Sequence, residues 1–88
     1  MLRFNEVTRE FEEKPVRFMI DGKWRDDDYY MVSIPHHYVD QFEGHAFPDL
    51  EIFRRALMFA SCAAEARYYN RPHLIAQNEA CLKECLER

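Results

Sequence analysis

Along the 88 residues, apolar positions fall into two regimes that meet near residue 48. Before it they form short alternating runs; after it they recur at helical spacing. Pro48 to Asn70, PDLEIFRRALMFASCAAEARYYN, has no Gly and no Pro after its first residue and is rich in good helix formers. The pattern predicts one long helix, a rod of about 30 Å. Leu50, Phe53, Leu57, Ala60, Ala64 and Tyr68 share one stripe, and Ile52, Ala56, Phe59, Ala63 and Ala66 the adjacent one. Together they cover more than half the circumference, so the rod is expected at the centre, with neighbours on more than one side. Glu51, Arg54, Arg55 and Glu65 fill the remaining arc, together with Met58, Cys62 and Tyr69.

Asn70-Arg71-Pro72 reads as a stop and restart, because Asn tolerates the left-handed cap and Pro suits a first helical turn. Residues 72–87 then repeat apolar side chains at Leu74, Ile75, Cys81, Leu82, Cys85 and Leu86, predicting a second helix antiparallel to the first.

In the N-terminal half, Leu2 to Glu13 reads as a hairpin turning at Asn5 to Thr8. Val16, Phe18 and Ile20 alternate with Arg17 and Met19, the mark of a half-buried strand. Asp21-Gly22 is a strong hairpin turn, with Lys23-Trp24-Arg25 as the return. Asp26-Asp27-Asp28 interrupts, and Tyr29 to Ile34 is expected to resume as a strand, with Met19, Tyr29 and Met31 on the face away from the rod. Residues 35–44 suggest a short helix closed by Gly44, and His45-Ala46-Phe47 a linker. The expected architecture is a single α+β domain, residues 1–88: an antiparallel sheet of three to four strands on a long central helix, followed by an antiparallel C-terminal helix.

The net charge of −4 disfavours direct nucleic-acid or membrane-surface affinity, which needs a positive field. The charge is uneven: residues 1–53 hold twelve acids and six bases, residues 54–88 four acids and six bases. Three cysteines without framework spacing suggest reduced thiols, no apolar run is long enough to span a bilayer, and residues 1–10 lack a signal-peptide pattern. A cytoplasmic protein is the expectation.

Candidate chemistry is sparse. Cys81 and Cys85 share a helical face, and an antiparallel hairpin would bring Cys62 near Cys81, a trio that could bind metal, although no fourth ligand is in reach. His36 and His37 diverge by about 100° and cannot converge on one atom. No P-loop, Gly-rich phosphate cradle or HExxH appears, so no enzyme and no cofactor are expected. Arg67 stands out by falling toward the apolar side, where it either reaches past the core edge to a carboxylate or marks the end of the buried span. In composition alone the chain resembles small, acidic, single-domain phage-encoded inhibitors, the anti-CRISPR proteins among them. No motif carries that resemblance, so it assigns no residue a role. The expected function is protein binding through Glu12, Glu13, Asp26, Asp27, Asp28, Tyr29 and Met31, against a partner with a basic, nucleic-acid-binding surface. The alternatives are a homodimer burying Met58, Cys62 and Tyr69, and a metal site on Cys62, Cys81 and Cys85.

Overall fold

The computed structural model describes the backbone of residues 2–5, 9–13 and 15–88, and side chains for residue 9 and residues 15–88. Strands β1 (Leu2–Asn5) and β2 (Glu10–Glu13) form a two-stranded antiparallel hairpin in which Leu2 faces Glu13. The expected turn at residues 6–8 lies outside the described residues. Strands β3 (Arg17–Ile20) and β4 (Lys23–Asp26) pair antiparallel across Asp21 and Gly22. Both turn residues have positive φ, 53° and 75°, the conformation a two-residue hairpin of this twist requires.

The third strand of this sheet is a correction to the sequence reading. Ala46–Phe47, expected as linker, forms β5 and pairs parallel with β3, giving a mixed sheet in the order β4-β3-β5. Met19 N–H donates to the His45 carbonyl at 2.8 Å and Gly44 N–H to the Arg17 carbonyl at 2.6 Å, so β3 zips the incoming chain into place.

The expected strand at Tyr29 to Ile34 is replaced by a single helical turn, α1 (Asp27–Tyr30). The cause is local capping: Asp26 Oδ1 accepts from Tyr29 N–H at 2.8 Å, and Asp27 and Asp28 occupy the positive first turn. Met31 ends the turn in the left-handed region at φ 54°, and Val32 N–H reaches back to the Asp27 carbonyl at 3.1 Å. Tyr30, Val32 and Ile34 still face the core as their alternation suggests, but on turn and extended backbone.

A 3-10 turn (His36–Tyr38) and helix α2 (Val39–Phe42) follow. Helix α3 (Leu50–Tyr68) begins at Asp49, whose Oδ1 accepts from Ile52 N–H at 2.9 Å. It ends in a Schellman motif: Asn70 is left-handed (φ 53°), Arg71 N–H donates to the Ala66 carbonyl and Asn70 N–H to that of Arg67. Pro72 opens α4 (Pro72–Leu86), which folds back along α3.

The core is aromatic where sheet meets helix. Phe18 stacks on Phe53 with centroids 4.5 Å apart, Phe47 lies edge-on to both, and Phe42 and Tyr30 close the cluster. Further along, Ala56, Ala60 and Ala63 are fully buried, with Leu82 and Cys85 of α4 in the same core. Alanine at these positions lets the neighbouring backbones approach closely. The rod is therefore central along Phe53, Ala56, Ala60 and Ala63, but Tyr68, expected on the buried stripe, is 82 % exposed because α3 runs on beyond the core.

Candidate contact surfaces

Among the described residues, three places gather polar groups or exposed apolar side chains. The first is the corner where β4 passes into α1. The antiparallel register sets Trp24 opposite Met19, on the face away from the helices, and leaves it half exposed under the Arg17 guanidinium, 5.3 Å from the ring centroid. Arg25 covers Tyr29 at 4.8 Å while its Nη1 donates to the Trp24 carbonyl at 3.0 Å. Tyr29 is 64 % exposed and Met31 92 %.

The aspartates within this corner have separate duties. Asp26 caps α1, and Asp27 Oδ1 accepts from Val16 N–H at 3.0 Å while Asp27 N–H donates to the Val16 carbonyl. Asp28 is exposed and has no side-chain partner among the described residues. Residues 17–31 carry four acids and three bases, so the corner is close to neutral and less acidic than the aspartate triplet suggests in isolation. The side chains of Glu12 and Glu13 lie outside the described residues. Trp24 was legible only as part of a strand; its exposure follows from the register.

The second place joins three elements. Tyr38 O–H donates to Glu79 Oε2 at 2.9 Å and accepts from Arg67 Nε at 2.9 Å, and Arg67 Nη2 donates to the same Glu79 oxygen at 2.7 Å. Of the two readings of Arg67, the one that reaches a carboxylate is met at Glu79. Hydrogen bonds from Arg67 and then Tyr38 hold the Glu79 carboxyl below its ordinary range, whereas burial pushes the Tyr38 phenol up despite Arg67. Each partner satisfies the others, so the junction acts as a clasp between the 3-10 turn, α3 and α4. His45 packs edge-on to Phe47 at 4.7 Å with Nε2 buried and unpartnered among the described residues. Burial lowers its pKa, and the adjacent Leu86 backbone opposes that shift.

The third place is the outer seam of the α3–α4 hairpin. A groove of about 270 Å³ near the turn is lined by Cys62, Glu65, Tyr69, Arg71, Leu74 and Asn78. A second, of about 280 Å³, lies toward the open end between Arg55, Met58 and Phe59 of α3 and Cys81, Glu84 and Arg88. Met58 and Tyr69 are more than half exposed, and Cys62 is exposed. Cys62 does not join the other two thiols as expected: it lines the first groove, whereas Cys81 and the buried Cys85 both line the second. Among the described residues, no group of three or more His, Cys, Asp or Glu is placed to hold a metal ion. No described helix is long and apolar enough to cross a membrane. No protein-family model, curated protein or solved structure matches this chain.

Proposed function

We propose that the chain is a non-enzymatic protein-binding module that docks a partner protein through the β4–α1 corner, with Trp24, Tyr29 and Met31 as its apolar anchors and Asp28 at the rim. The observation that carries this reading is Met31. It sits at φ 54° in the cap position of a Schellman-type turn, where Gly is favoured and any other residue is strained by about 1–2 kcal/mol, yet its side chain is 92 % exposed and packs on almost nothing. A large apolar side chain held at such a position supports a contact with a partner outside the molecule. Trp, Tyr and Arg are also the residue types that dominate binding energy in protein interfaces, and Trp24 and Tyr29 are each held in place by an arginine.

The near-neutral charge of the corner favours a partner recognised by apolar burial over one recognised by basic charge alone. Polar groups that converge elsewhere, at Tyr38, Arg67 and Glu79, already satisfy one another. An affinity pull-down from lysate of the source organism tests the reading. A protein retained by the native chain should be lost with the triple variant Trp24→Ala, Tyr29→Ala, Met31→Gly, whose circular dichroism should match the parent. Equal retention by that variant refutes the docking surface.

A further inference from the structure

The outer seam of the helical hairpin is a separate surface, and its occupant can be argued from its own residues. We infer that two copies of this chain associate through α3, antiparallel about a two-fold axis at Cys62, into a four-helix arrangement. The inference is independent of the partner proposed for the β4–α1 corner.

The argument is self-complementarity. In an isologous contact, residue i meets j and j meets i. Centring the axis on Cys62 sets Arg55 of one copy opposite Tyr69 of the other, and sets Met58 at the level of the groove near the turn, which the buried Ala66 lines with a small side chain. Glu65 falls opposite Phe59 of the second copy, about one turn from its Arg55 and within diagonal reach of it. The matching repeats on both sides of the axis: arginine meets a carboxylate and an aromatic face, and methionine meets a groove lined by a small residue. Glu65 has no side-chain partner among the described residues, and Arg55 bonds only the exposed Glu51 on its own helix, at 2.8 Å. Both groups are therefore open to the second copy. The exposed Met58 (52 %) and Tyr69 (59 %) and the two grooves beside them supply apolar surface to bury, continuous along the seam. The sheet lies against the other side of α3, where Phe18 and Phe47 meet Phe53, and leaves this side free.

Light scattering during size-exclusion chromatography at 100 µM tests the pairing (about 1 mg/ml). Twice the 10.7 kDa chain mass is expected. Met58→Glu should return the mass to 10.7 kDa with an unchanged circular dichroism spectrum, since Met58 is half exposed and leaves the core intact. The axis position is tested separately in a Cys81→Ala background, treated with diamide. Two Cys62 thiols then form one disulfide while diamide takes up their two hydrogens, and a dimer band appears on a non-reducing gel. Cys62→Ser should abolish that band, and dithiothreitol should reverse it. A monomer mass at this concentration overturns the inference, and so does a dimer indifferent to Met58→Glu. A dimer that does not cross-link at Cys62 overturns the stated axis.

Discussion

Tyr38 shows how one hydroxyl can tie three elements together. It is 2 % exposed, and its phenol oxygen is the point where the 3-10 turn, α3 and α4 meet through Arg67 and Glu79. Tyr38→Phe keeps the ring packing and the Arg67–Glu79 ion pair but removes both phenol bonds. The expected loss is about 1–2 kcal/mol by urea titration, with a fall in Tm of about 4–8 °C for each kcal/mol. Among the described residues, His45 and Glu79 each contribute to the pH response, in separate windows. The folded pKa of His45 is below its ordinary 6.5, so the folded state binds fewer protons there and stability present above 6.5 is lost as pH falls through the folded value. Glu79 is also depressed, so its contribution is lost lower still, beneath the ordinary 4.5. Denaturant midpoints measured from pH 8 to pH 3 should show both steps, with His45→Leu removing the upper one and Glu79→Gln the lower. Met31→Gly should leave stability unchanged or raise it by up to about 1 kcal/mol, by relieving the left-handed strain, while weakening partner binding. A variant that loses both stability and binding would show that Met31 serves the fold.

At the scale of elements, capping decides more than propensity does. Asp27→Ala should cost about 1–2 kcal/mol in thermal or chemical denaturation, because it strips the partner from a backbone N–H of Val16, itself 1 % exposed. Asp28→Lys should cost no more than about 1 kcal/mol, since that carboxylate has no side-chain partner among the described residues and contributes only its favourable place in the first turn of α1. The same local bonds explain what the sequence could and could not tell. Both long helices were legible to within about two residues, because Asp49, Asn70 and Pro72 mark their ends by chemistry that acts over three or four residues. The β3–β4 hairpin was legible for the same reason, through Asp21-Gly22. The strand expected at Tyr29 to Ile34 failed because a two-residue alternation records which side chains turn inward but not the backbone that carries them. Tyr30, Val32 and Ile34 do turn inward, and the Asp26 cap bends the chain first. Strand β5 was out of reach, since two residues have no period and its partner lies 27 positions earlier. At the candidate corner, Tyr29 and Met31 were visible as apolar excess, whereas Trp24 became visible only once the register exposed it.

For the whole molecule, the two proposed surfaces lie on different elements: the corner at β4 and α1, the seam along α3 and α4. A seam-paired dimer would carry two corners, and avidity on a surface-immobilised partner could exceed single-site affinity by about 10²–10⁴. Met58→Glu should therefore speed dissociation from a densely coated sensor yet leave the affinity on a sparse one unchanged. A last consequence follows from the route of the chain at residues 46–50. Phe47 closes the parallel pairing and, within three residues, the rod begins, so the platform and the rod share one covalent joint and one cluster of packed rings. Neither has an independent melting transition under this arrangement. Heating should remove helical ellipticity and near-ultraviolet aromatic signal together, with calorimetric and van't Hoff enthalpies equal. Ala46→Pro, by obstructing that joint, should erode both signals in parallel and leave no intermediate with the rod intact.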